Sequence, residues 1–174
     1  MLSSTSLRKE ETHRLIRSMS KEDQKAIEEA EKNNDYTAPK FQEALDRYLK
    51  MTVPDYSKDD PNVPECLRRK KNLGNVAYNT AWGPSEFQPL GNFKDYDITS
   101  QLKEIRLPVL FLFGKKNESD KTVNEAMYDA LANVMKEMVE IPKARHMTYF
   151  ANSKSYFEAL SRFLEHSEHR NTIR

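Results

Sequence analysis

Glycine is scarce in this sequence: only four occur in 174 residues, at 74, 83, 91 and 114. Phosphate-cradling loops and tight strand-to-helix turns normally need several. Their shortage argues against a nucleotide-binding loop and hints at an incomplete α/β fold. A single cysteine, Cys66, excludes an intramolecular disulfide and a thiolate-rich metal cage. Charge of one sign is also missing, because 28 basic side chains nearly cancel 27 acidic ones. No net field therefore favours nucleic acid or an anionic membrane. No apolar run approaches the length of a membrane span, and residues 1–7 lack the charged-then-apolar layout of a secretory leader. A soluble, cytoplasmic protein is the expectation, with no metal or organic cofactor and neither nucleic acid nor membrane as partner.

With 37% apolar and 10% aromatic side chains the chain is long enough for one domain, or for part of a core with a small cap. From Leu7 to about Thr80 the pattern is helical and strongly charged, without a strand-like run. Ser20 followed by Lys21, Glu22 and Asp23 resembles a helix cap, and Thr37 with Pro39 marks another helix entry. Phe41, Ala44, Leu45, Tyr48 and Leu49 recur at helical spacing and predict one packed face. Pro64 is expected to open a short helix through Lys71, and the helical part is expected to end near Gly83.

The second half changes character. Val109-Leu110-Phe111-Leu112-Phe113 is a continuous apolar run between Pro108 and Gly114, which reads as a buried parallel strand. Val123, Ala126, Met127, Ala130, Leu131, Val134 and Met135 keep helical spacing, and residues 138–141 supply a second strand, making a βαβ unit. Tyr156, Phe157, Leu160, Phe163 and Leu164 predict a final helix with one apolar face, and the charged residues that follow are expected to fray. Two parallel strands do not make a stable doubly wound sheet. Strands are thus expected to be missing on the N-terminal side.

Ligands of open α/β sheets bind in loops at the carboxyl ends of the strands. One such loop carries Lys115, Lys116, Asn117, Glu118, Ser119 and Asp120, and the other Arg145, His146 and Met147. An acid or amide from the first loop could orient the imidazole of the second. Taken singly, a loop histidine is more commonly a surface or capping group. Cys66, His146 and Asn117 also have the residue types of a cysteine-protease triad, but Cys66 falls in a helical stretch.

Trp82-Gly83-Pro84-Ser85-Glu86-Phe87, Lys94-Asp95-Tyr96-Asp97-Ile98-Thr99, Pro108-Val109-Leu110, Gly114 to Glu118 and Arg145-His146-Met147 resemble, in order and nearly in spacing, the C-terminal signature of proline iminopeptidases. These are serine aminopeptidases of the α/β-hydrolase superfamily that release an N-terminal proline. The resemblance implies a partial α/β-hydrolase fold: residues 1–7 a remnant of a core strand, 8–90 a helical cap, 91–166 the C-terminal half of the core, and 167–174 a frayed tail. It implies that His146 is the base, that Glu86 and Glu118 hold the substrate's free ammonium group, and that Trp82 and Phe87 shape an apolar proline pocket.

The departures from the family pattern matter as much. No two of the four glycines stand four residues apart, so these 174 residues contain no serine elbow of the Gly-x-Ser-x-Gly kind. Asn117 stands where the resemblance calls for the triad aspartate, with Asp120 as a substitute three residues on. An asparagine there does not stabilise the imidazolium, a change that lowers turnover about 10⁴-fold in a serine protease. The expectation is a proline iminopeptidase-like fragment, inactive alone, whose partners are a separate N-terminal half or a second copy and, when complemented, a peptide N-terminus. The alternative is a non-catalytic binding module derived from the same fold.

Overall fold

A computed structural model describes residues 3–52, 61–68, 74–114 and 121–172. Five helices come first: α1 (Thr5–Arg17), α2 (Lys21–Asn33), α3 (Pro39–Thr52), α4 (Glu65–Arg68) and α5 (Asn75–Ala81). A 3₁₀ turn (Thr99–Glu104) leads to β1 (Val109–Gly114), α6 (Lys121–Ala130), β2 (Lys136–Ile141), α7 (Thr148–Ala151) and α8 (Ser153–Thr172).

Local chemistry explains the cap helices. The Ser20 side chain accepts the Asp23 amide at 3.1 Å, and Glu22 and Asp23 in the first turn complement the helix dipole of α2. Asn34, at φ 52°, closes that helix in the left-handed conformation asparagine tolerates. Pro39 opens α3, where a missing N–H costs nothing. Phe41, Ala44 and Tyr48 of α3 are buried with Ile27 and Ala30 of α2 and Leu15 of α1, whereas Leu49 stays exposed on the flank of the expected face. Pro64 does precede a short helix, α4; residues 69–71 of the expected stretch lie outside the described residues.

The two strands pair in parallel, in register from Val109 opposite Lys136 to Gly114 opposite Ile141. Phe111 on the sheet packs with Val123, Met127 and Leu131 and with Leu102 of the 3₁₀ turn, forming a second apolar cluster. Four expectations change. Helix α6 stops at Ala130, and Val134 and Met135 belong to the turn into β2; the Lys136 ammonium caps the helix end by donating to the carbonyls of Tyr128 (2.7 Å) and Leu131 (3.3 Å). On α8 the buried stripe is Ala159 and Phe163, with Phe157 and Leu164 exposed. Of the expected frayed tail, 167–174, the residues through Thr172 continue α8, which Arg162 and His166, ahead of the tail, tie to Glu137 of β2; residues 173 and 174 lie outside the described residues. In the expected strand remnant, residues 1–7, Ser3 is a bend, Ser4 is extended and forms a single antiparallel bridge with Asp97, and Thr5 already starts α1; residues 1 and 2 lie outside the described residues.

Candidate functional site

Because β1 and β2 run parallel and in register, the segments that follow Gly114 and Ile141 leave from the same end of the sheet. They touch there. A Cβ on Gly114 would lie 2.5 Å from the carbonyl oxygens of Ala144 and Arg145, so only glycine permits this approach. Lys143 makes the turn after β2 at φ 59°. His146 follows as an exposed side chain whose backbone amide donates to the Thr52 carbonyl at 2.9 Å, at the end of α3. Asn117, Glu118 and Asp120 lie outside the described residues.

The Trp82–Phe87 block forms a closed loop. The amides of Leu90 and Gly91 both donate to the Trp82 carbonyl, at 2.7 and 2.8 Å, and the loop turns at Gly83 with φ 116°. Ser85, fully buried, accepts the amides of Phe87 (3.2 Å) and Gln88 (3.3 Å). This geometry sends neighbouring side chains opposite ways. Phe87 turns inward and meets Phe41 and Tyr48 edge-on at centroid distances of 5.7 and 4.9 Å, so its observed contacts are cap packing. Glu86 stays part-exposed and meets Arg8 of α1, whose Nη2 donates to Oε1 at 2.6 Å, while the Tyr78 hydroxyl donates to Oε2. The Arg8 guanidinium also lies 4.1 Å over the Trp82 ring. Trp82 Nε1 and Arg8 Nε are buried and find no hydrogen-bond partner among the described residues.

The structure thus gathers Trp82 and Glu86 around one cation, places Phe87 in the core and sets His146 against the end of α3. Arg8 and Tyr78 were not anticipated as neighbours of Glu86. Arg8 sits in a charged helix with no pattern that separates it from Lys9 or Arg14, and its partner is 78 residues away. Cys66 is exposed on α4. Among the described residues no cluster of three or more potential metal ligands occurs, and no helix is long and apolar enough to cross a membrane.

A helical cap followed by a parallel βαβ unit is the arrangement of the closing portion of an α/β-hydrolase. Two solved structures share this fold: a proline iminopeptidase from Mycobacterium smegmatis (TM-score 0.74, 20% identity, covering 98% of this chain and 56% of that one) and VinJ (TM-score 0.77, 18% identity, 95% and 55%). In sequence the chain is 35% identical over 164 residues to the proline iminopeptidase of Lactobacillus acidophilus, 37% over 163 residues to that of Levilactobacillus brevis and 35% over 163 residues to that of Clostridioides difficile. Each alignment takes in 94% of this chain but only 53–54% of the relative. No protein-family model matches. The chain is homologous to the C-terminal part of the proline iminopeptidases and spans about half the length of the curated relatives it matches.

Proposed function

We propose that the chain is the cap and closing core of a proline-releasing serine aminopeptidase, and that it hydrolyses nothing until the remaining part of the hydrolase core, with its nucleophilic serine, is joined to it. The observation that carries this reading is an alignment that runs through 94% of the chain at 35% identity while taking in only 54% of the relative. In the completed site His146 takes the proton from the serine hydroxyl as it attacks the carbonyl of the proline–X bond and returns it to the leaving amine. Glu86 and Glu118 hold the free ammonium group of the substrate, since paired carboxylates favour a cation that an internal peptide bond lacks. Trp82 contributes to the proline pocket, and Phe87 supports it from the core side. Asn117, or Asp120 if the loop presents it instead, orients the imidazole. The cytoplasm is the compartment this reading assigns.

A second reading, a binding module without catalysis, is favoured by one specific observation. Both oxygens of Glu86 are engaged by Arg8 and Tyr78, so the carboxylate is already neutralised. Hydrolysis of a proline arylamide decides between the two. The purified chain is assayed alone and co-expressed with the N-terminal portion of the Lactobacillus acidophilus enzyme. Activity only in the co-expressed sample, abolished by His146→Ala, supports the aminopeptidase fragment. A stable but inactive complex supports the binding module, and activity of the chain alone overturns the requirement for a second part.

A further inference from the structure

The last carbonyls of an α-helix have no partner within it and must find one elsewhere. At the end of α3 three of them are satisfied in a particular way. The Leu49 carbonyl receives the Thr52 hydroxyl at 3.4 Å; the Lys50 carbonyl receives Arg145 Nη1 at 2.6 Å; and the Thr52 carbonyl receives the His146 amide at 2.9 Å. Two of the three donors come from the loop after β2, at least 94 residues along the chain (Thr52 to His146 is 94, Lys50 to Arg145 is 95). A guanidinium at a helix C-terminus also meets the negative end of the helix dipole. From its other side the loop is fixed by the Gly114 backbone, which leaves no room for a Cβ beside the carbonyls of Ala144 and Arg145.

The same helix holds the other half of the candidate site. Tyr48 and Phe41 of α3 clamp Phe87, the neighbour of Glu86, and Tyr48 lies one helical turn before Thr52, about 6 Å along the axis. Thr52 is fully buried, so the helix end sits in packed surroundings. Helix α3 therefore works as a rigid spacer between the carboxylate loop and the histidine loop.

We propose that Arg145 is a positioning residue that latches the His146 loop to the C-terminal end of cap helix α3, so that the cap sets the distance between the catalytic base and the ammonium-binding carboxylate. The inference rests on the aminopeptidase reading above. Its distinctive claim is that a cap helix, and not only the hydrolase core, determines where the base stands. Misplacing a base by about 1 Å is enough to cost on the order of a hundredfold in turnover, while substrate held elsewhere keeps its affinity.

The test uses Arg145→Met, which keeps the apolar stem and removes the donor, and Arg145→Lys, whose ammonium can still reach a carbonyl. Amide hydrogen exchange is read on the whole chain, and kcat and KM on the complex with the N-terminal portion of the Lactobacillus acidophilus enzyme. The expected result for Arg145→Met is exchange at the His146 amide faster by about tenfold or more, with the β1 and β2 amides unchanged. In the complex kcat falls roughly ten- to a hundredfold and KM stays within about twofold. Arg145→Lys recovers most of both. Unchanged exchange at His146 overturns the latch. Faster exchange with unaltered kcat overturns the role in placing the base, and a loss of kcat that tracks loosened strand amides reduces Arg145 to a stabilising residue. A complex inactive even with the unsubstituted chain overturns the aminopeptidase reading, and with it the catalytic meaning of Arg145, while the exchange result still decides the latch.

Discussion

Asp23 is 4% exposed, yet its carboxylate is well supplied with donors. Arg47 of α3 gives it two N–H groups, at 2.9 and 2.6 Å, and these bonds hold its carboxyl below the usual carboxylate range against the opposing effect of burial. A carboxyl depressed in the folded state stabilises fully above its unfolded value of about 4 and loses that contribution as pH falls through the folded value. Arg47 is half exposed, so solvent screening keeps the contribution of the pair modest. Asp23→Asn is expected to lower the urea midpoint at pH 7 and to flatten the decline in stability below pH 4. Parallel curves for parent and variant through the acid range would sink this account. At this scale the sequence was legible where the interaction is local, as with the Ser20 cap. It was silent where partners are far apart. Nothing in α2 announces that Asp23 meets Arg47, or in the Trp82–Phe87 block that Glu86 meets Arg8, because both pairs depend on how helices cross.

Helix α8 shows what periodicity leaves undecided. Successive residues advance about 100° around a helix, so positions 156, 159, 160 and 163 share a stripe, and 157 and 164 fall about 100° from its centre. Only the inner stripe meets the sheet: Ala159 and Phe163 are buried, and Phe157 is 55% exposed. Phe163→Ala should therefore cost about 3–5 kcal/mol and Phe157→Ser less than about 0.5 kcal/mol, as read from denaturant midpoints. Equal losses would mean that Phe157 is covered in solution. The apolar residues of α8 were visible as a set, but their division was not, since a single sequence does not say where the sheet lies. The same holds for β2. Its Lys136 and Glu137 disguised the first third of the strand, whereas uncharged β1 was read almost to the residue. Helix α6 was overextended because Val134 keeps helical spacing while packing from a turn.

On the scale of the whole molecule the sheet has two unequal edges. The Val109 amide donates to the Met135 carbonyl, so the peptide groups of Val109, Phe111 and Phe113 face β2, and those of Leu110, Leu112 and Gly114 face the opposite way. Among the described residues no strand meets that outer side. Strand β2 carries Lys136, Glu137 and Glu140, the charges that natural edge strands use against unwanted pairing, and β1 carries none. An uncharged run such as β1 belongs inside a sheet covered on both faces, and the unmatched half of the relatives supplies length enough for the strands that would flank it. Leu107, 73% exposed just before β1, adds to the uncovered apolar surface. The chain by itself is accordingly expected to associate in a concentration-dependent way in sedimentation velocity and to bind an apolar dye, with both effects suppressed by co-expression with the N-terminal portion of a relative. Leu112→Pro removes a peptide donor only from the outer side and should weaken that pairing; Met138→Pro, on the outer side of β2, should not. A chain that stays monomeric and dye-free at all concentrations would show that the β1 edge is not an assembly surface, and would move the argument toward a binding module that is stable by itself.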